Sequence, residues 1–387
     1  MLQHKFFIIV KYGLNITPVT SADINEFGSC TLEEWQELTN LAIKQGIAGV
    51  FFDGIQEIYK TDSDILPKCE WAREIKARLL GITLQLEQYN KKQIVVMNKV
   101  AAFLKKYNCR MMVMKGQACA TMYPNPLHRS IGDIDCYLYN DYTRGNELIA
   151  QTGIHVDDSC YKHSEFCIEG ETFENHQYFV ATRGGERYKR LDRKLKELAR
   201  EKSTNKNQKT RDDDLQLTND RQNYLNAQHS SINVQYPPVM FNALFLTYHA
   251  YIHFMIEGLR LKQVLDWVMF VRSHQDDVDW KELHKICEEF KLDRFLRVMN
   301  AIVVKVFGVE KKASEMICDS PYIQKVLDSI LYDDDYIFNT GKGNFRKRLH
   351  IISNMFKHRW KYRDISEENV IKLISIKMIG LLFKTET

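Results

Sequence analysis

Two carboxylates, Asp133 and Asp135, lie in a run that otherwise has the character of a buried strand: Gly-Asp-Ile-Asp-Cys-Tyr-Leu-Tyr from Gly132. Residues i and i+2 of an extended chain point to one side. An extended 132–138 therefore projects both acids from one face and packs Ile134 and Cys136 on the other. Two adjacent carboxylates repel, and one tends to keep its proton. A divalent cation removes that conflict, and hard carboxylate oxygens suit Mg²⁺ or Mn²⁺. An isolated Asp-x-Asp is common, however, and alone it favours a turn followed by an exposed strand residue.

The segment upstream shifts the balance. Arg110 to Met114 is a short apolar run without helical period, Lys115-Gly116 follows, and a helical stretch ends near Tyr123. This is a strand–turn–helix element. Gly116 lets the backbone approach a phosphate, and the free N–H groups of the next helix would face it. Lys115 adds a positive charge, although a plain strand-to-helix turn can also carry Lys-Gly. Arg129, four residues before Asp133, is placed either to reach a triphosphate or to pair with an aspartate.

Around this centre the chain is mostly helical. Thr31 and Glu34 form a capping box, and Leu32, Trp35, Leu38, Leu41 and Ala42 recur at helical spacing. Residues 66–107 predict two or more helices. HSEFCIEG and ETFENHQYFV alternate as strands, with a turn at Gly170-Glu171. Arg187 to Lys202 predicts a basic helix diluted by Asp192 and Glu197, and Ser203 to Arg221 a polar loop. From Pro237 onward an apolar helix pair breaks near Gly258, and Asp279-Trp280 opens another helix. The expected fold class is α+β: a small mixed β-sheet core flanked by N-terminal and C-terminal helical regions, divided as 1–107, 108–235 and 236–387.

The chain of 387 residues carries a formal net charge of +4, too little to name a nucleic-acid partner. Its nine cysteines include no Cys-x-x-Cys, which fits a reducing cytoplasm. The apolar run Phe6 to Val10 is shorter than a signal-peptide core, and IKLISIKMIGLLF, interrupted by Lys372 and Lys377, is too short to span a bilayer. The expectation is a cytoplasmic protein with no membrane partner.

The Met-Lys-Gly, the Tyr-Pro-Asn-Pro, Arg129 and the Asp-Ile-Asp together resemble the uncharacterised nucleotidyltransferase family within the DNA polymerase β-type nucleotidyltransferase superfamily. EWQELTNLAIKQGIAGVFFDGI resembles the segment that opens such proteins. HAYIHF…GLRLKQVLDW and DWKELHKICEEFKLDR resemble their C-terminal helices. The resemblance implies a third carboxylate on a neighbouring strand; Glu174 in Glu-Asn-His matches best, with Glu171 as rival. It also implies that Asp133, Asp135 and Glu174 hold Mg²⁺ (or Mn²⁺) against a nucleoside triphosphate. With Lys-Gly in place of the usual Gly-Ser, Lys115, the backbone at Gly116 and Arg129 would contact that substrate, and the histidine that the family often carries near this position implies His249 as well. A nucleoside monophosphate would pass to an acceptor hydroxyl with release of pyrophosphate.

His249 and His253, four apart on an apolar helix, equally suit core packing, and Arg260, Lys262 and Asp266 equally solvate their helix. The acceptor expected is a small molecule or glycan precursor. The basic, aromatic segment from Phe345 to Asp364 leaves an RNA- or protein-modifying, toxin-like alternative, with nucleic acid not favoured over an inward-packed amphipathic helix. A nucleotide-binding scaffold without turnover is the non-enzyme alternative.

Overall fold

The computed structural model describes residues 2–61, 70–201, 234–333, 353, 355–366 and 371. The chain divides into two compact units. The first comprises Met1–Phe179, Ala199–Pro238 and Val306–Val309, and the second Val180–Leu198, Val239–Lys305 and Glu310–Thr387.

Helices α1 (Leu2–Gly13), α2 (Ser21–Gly28), α3 (Leu32–Lys44) and α4 (Ala48–Thr61) open the first unit. The capping box of α3 forms as expected: Glu34 N–H donates to the Thr31 hydroxyl and Thr31 N–H to the Glu34 carboxylate. Phe6 to Val10 lie inside α1 and are buried. Two glycines let α1 and α4 touch backbone to backbone. A Cβ at Gly13 would lie 1.9 Å from Val50 O, and one at Gly54 would lie 2.0 Å from Ile9 O.

One helix, α5 (Glu70–Lys106, 37 residues), replaces the two or more expected over 66–107. Gly81 does not break it. Nothing lies within 4 Å of where its Cβ would be, so the glycine costs only its propensity, about 1 kcal/mol, in a run otherwise rich in helix formers.

The sheet has six strands: β1 (Met111–Val113), β2 (Ile134–Tyr137), β3 (Val156–Asp157), β4 (His163–Ile168), β5 (Glu171–His176) and β6 (Val234–Gln235), in the order β3-β4-β5-β2-β1-β6. β2 runs parallel to β5 and antiparallel to β1; β1 runs parallel to β6. The fold is thus α+β with a mixed sheet. Short helices α6 (Gly116–Ala120) and α7 (Tyr142–Ala150) follow β1 and β2. Val96, Met97, Val100, Ala101 and Leu104 of α5 share a core with Met111, Val113, Ile134, Cys136, Phe166 and Phe173 of the strands. That apolar contact claims one face of the sheet and leaves the alternate residues, Asp135 and Glu174 among them, on the other.

The β4–β5 hairpin turns one residue earlier than expected. Glu169 (φ 51°) and Gly170 (φ 80°) are its central residues, with Ile168 opposite Glu171. A two-residue turn with positive φ at both centres matches the right-handed strand twist, which places the glycine second in the turn.

In the second unit, α8 (Glu186–Ala199) is paired rather than openly basic: Arg190 meets Glu289, Lys194 meets Glu197 and Glu282, and Lys196 meets Asp192. Helices α9 (Val239–Ile252) and α10 (Leu261–His274) are separated at Gly258, where φ is 91°. α11 (Trp280–Glu289) is capped by Asp279, which accepts from Glu282 N–H. The stretch Val239–Ile256 is apolar and long enough to cross a bilayer, and most of it is buried inside the protein. The expected loop 203–221, Lys372, Lys377 and the start of the 345–364 segment lie outside the described residues.

Candidate functional site

Register brings the acids together. β2 and β5 are parallel neighbours with Asp135 opposite Glu174, so side chains on the same face meet across roughly 4.8 Å. Asp133 sits at a bend one residue before β2. One oxygen from each of Asp133, Asp135 and Glu174 lies within 4.8 Å of the other two. Glu171, three residues from Glu174, points to the opposite face. Its carboxylate is engaged there by Lys92 Nζ at 3.0 Å and Gln93 Nε2 at 3.4 Å. The geometry therefore places Glu174, not Glu171, beside the aspartates.

Lys115 and His176 already face these acids. Lys115 Nζ lies 2.7 Å and His176 Nε2 2.9 Å from the same oxygen, Asp135 Oδ1. Asp135 is 3 % exposed. Burial alone would raise its carboxyl, but the Lys115 charge and the His176 hydrogen bond outweigh burial and hold it well below the usual carboxylate range. Burial likewise opposes Glu174, and the His176 hydrogen bond, at 3.3 Å from Oε2, holds it down at about 2. Asp133 is the most exposed of the three, yet partial burial and then the Asp135 charge push it up to about 6. Lys115 and His176 are both held above their ordinary values despite burial, Lys115 chiefly by Asp135 and Asp133, His176 by Asp135 and Glu174.

The turn that aims Lys115 is unusual. Lys115 has φ 49° and ψ −130°, a region that side-chain-bearing residues rarely occupy, at a cost of about 1–3 kcal/mol. Met114 N–H donates to Asp135 O at 2.9 Å and Cys119 N–H to Lys115 O at 2.7 Å, pinning the turn on both sides. The strained residue is thus Lys115, not Gly116. A Cβ at Gly116 would meet only Asp133 O, at 3.8 Å, so the protein's own packing does not require glycine there.

A buried amide network positions the loop that ends at Asp133. Gln93 Nε2 donates to Gly132 O at 2.7 Å, and Asn90 Nδ2 donates to Leu127 O and Arg129 O. Gln117 Nε2 bridges Asn90 Oδ1 and Gln93 Oε1. Asn90 and Gln93 went unnoticed in the sequence. The available signal was a pair of polar residues at i, i+3 leading into the apolar face of α5 that carries Val96 and Val100. His163 was missed as well: it faces His176 across the β4–β5 ladder.

Arg129 is buried in the loop, donating to Ser130 O at 3.0 Å. His249 belongs to α9 in the second unit, its ring edge-on to His253 at 4.4 Å and stacked with Phe245 at 6.1 Å. Asp266 is buried in α10 of the same unit.

The three carboxylates fit a hard divalent cation: all donors are oxygen, and two of the three are held ionised. Neither a curated protein nor a solved structure shows significant similarity to the chain. A family model described as "Uncharacterised nucleotidyltransferase" matches residues 31–308, which take in α3 through the sheet and on into the second unit. With most of its length matched in this way, the chain belongs to that family of uncharacterised nucleotidyltransferases.

Proposed function

We propose that the protein transfers a nucleoside monophosphate from a nucleoside triphosphate to a hydroxyl of a small-molecule or glycan-precursor acceptor, with Mg²⁺ (or Mn²⁺) as cofactor. The observation that carries this reading is the convergence of Asp133, Asp135 and Glu174 within 4.8 Å of one another, beside a lysine-bearing strand–turn–helix.

In this reading Asp133, Asp135 and Glu174 hold the metal. Divalent ions bound there would draw charge from the triphosphate and favour in-line departure of pyrophosphate. Lys115 neutralises Asp135 in the free protein and would turn to a phosphate oxygen once a metal ion takes over that carboxylate. Gly116 leaves the backbone beside it open to a phosphate oxygen. Glu174, held at about 2, is a weak base and serves better as a ligand than as a proton acceptor. The Asn90–Gln93–Gln117 network keeps Asp133 in register with Asp135.

The preference for a small acceptor rests on the described part of the basic segment. Lys361 is buried with Nζ 3.2 Å from Phe254 O, and the buried Tyr362 donates to Met255 O. Trp360 packs edge-on against Phe254. Trp360, Lys361 and Tyr362 thus serve the interior, while Phe356, Lys357, Arg359 and Arg363 of the same stretch face solvent.

The test is pyrophosphate release and label transfer from each α-labelled nucleoside triphosphate with Mg²⁺ or Mn²⁺, offered pooled sugars and glycan precursors. Asp135→Asn should reduce both signals to background. An unchanged rate in that variant would reject the proposal.

A further inference from the structure

We propose that His163, Glu174 and His176 form a second metal site, of mixed nitrogen and oxygen donors, taking a first-row transition ion such as Zn²⁺ or Co²⁺. The inference needs no nucleotide and does not depend on the transferase reading. His163 and His176 stand opposite each other on antiparallel β4 and β5, and Glu174 is two residues from His176 on the same face. Glu174 Oε2 lies 3.6 Å from His163 Nδ1 and 3.3 Å from His176 Nε2, and the ligand atoms of all three fall within 4.8 Å of one another. Bonds of about 2.0–2.1 Å to a tetrahedral ion put neighbouring donors about 3.3–3.4 Å apart. The two observed separations already approach that spacing.

Two further observations point the same way. His176 Nδ1 lies 3.3 Å from Tyr178 O. A metal-bound imidazole characteristically gives its other N–H to such an acceptor, and an ion at Nε2 would replace the 2.9 Å contact that this atom makes with Asp135 Oδ1. His163 Nδ1 is shielded from solvent and makes no hydrogen bond, an uncommon state for a buried polar atom, and the acid nearest to it is Glu174. Two imidazoles and one carboxylate suit Zn²⁺, Co²⁺ or Fe²⁺, whereas the neighbouring all-oxygen set suits Mg²⁺. Glu174 belongs to both sets, so an ion at the histidines draws on a carboxylate that the aspartates also use.

The test is titration of the full-length, nucleotide-free protein with Co²⁺, read by visible ligand-field absorption, with Zn²⁺ as competitor. Wild type should bind one Co²⁺ with the intense bands of low coordination number, displaced by Zn²⁺. His163→Gln should weaken binding by at least about tenfold, and Asp133→Asn should leave it unchanged. Absence of the bands in wild type, undiminished affinity in His163→Gln, or loss in Asp133→Asn alone would each overturn the site. Should His163→Gln fail the folding check by circular dichroism, imidazole ¹⁵N spectra of wild type decide. Co²⁺ must shift the His163 and His176 rings, and unshifted rings refute the site. Because pyrophosphate release is scored separately with Asp135→Asn, either proposal can fail without the other.

Discussion

Lys115 Nζ sits 2.7 Å from Asp135 Oδ1, so the most buried carboxylate of the candidate site has a partner cation supplied by the chain itself. Removing the ammonium leaves a carboxylate that is 3 % exposed with His176 in place of two partners, and breaking a buried pair from one side costs about 3–5 kcal/mol. Lys115→Met should therefore lower the thermal midpoint clearly. Added Mn²⁺ should restore more stability to this variant than to wild type, because the ion no longer competes with the lysine. Lys115→Gly, which loses the same charge but relieves the φ 49° backbone, should melt above Lys115→Met, by roughly 1 kcal/mol or more. Calorimetric melts of the three proteins with and without Mn²⁺ check both orderings.

Asp135 and Glu174 differ in what their neutral analogues leave behind. Asp135→Asn leaves the Lys115 ammonium and the His176 ring around an amide, without the buried carboxylate that paired them, so activity loss should come with destabilisation of several kcal/mol. Glu174→Gln removes an acid that is 21 % exposed at its side chain and leaves Asp135 with both partners. It should lose label transfer to background while its urea midpoint stays within about 1 kcal/mol of wild type. A Glu174→Gln protein with wild-type turnover would remove Glu174 from the metal-holding set.

How far the sequence reaches is clearest at this site. Side-chain alternation accounts for Asp135 on the open face of β2, whereas Asp133 reaches the same place from a bend just before that strand. Alternation could not choose between Glu171 and Glu174, because that depends on the parallel β2–β5 register, a pairing between strands distant in the chain. The turn itself was off by one residue: Gly170 was visible, but nothing marked Glu169 as its left-handed partner. Gly116 drew attention as the flexible residue, while the strain fell on Lys115. That conformation is imposed by backbone bonds from Met114 and Cys119 that no local pattern encodes. The gross fold was legible because helical periodicity and the capping box are local. Asn90, Gln93 and His163 were not, since their partners lie distant in the chain or across a ladder.

Asp133 links metal affinity to pH. Its carboxyl is displaced upward from 3.8 to about 6, so in the metal-free protein ionisation works against the fold above that pH, and below it a proton occupies the ligand oxygen. A divalent ion must displace that proton. Mn²⁺ affinity, measured by electron paramagnetic resonance, should fall by up to about tenfold per unit as pH drops below about 6. Asp133→Asn, lacking that proton, should bind weakly at all pH values with a flat profile between about pH 5 and about pH 7. A wild-type profile equally flat in this window would show that Asp133 does not ligate.

A second pH effect is separate from the site. His128 Nδ1 lies 2.7 Å from Asp53 Oδ1, and Nε2 lies 3.2 Å from Glu87 Oε1, so one imidazole ring ties α4 and α5 to the loop that leads to Asp133. Burial lowers the His128 value, but the bonds to Asp53 and Glu87 outweigh it and the net displacement is upward from 6.5. A histidine with a raised folded value adds stability that is full below the unfolded value and disappears as pH rises through the folded one. Burial pushes the Asp53 carboxyl up as well, so the pair reports on His128 only above the pH at which Asp53 has ionised. Urea midpoints should therefore decline for wild type as pH rises from about 6.5 into the alkaline range. His128→Gln should start lower and decline less, so the gap between the two narrows with pH. A gap that stays constant across that range would show that the histidine is neutral in the folded protein and acts there only through hydrogen bonds.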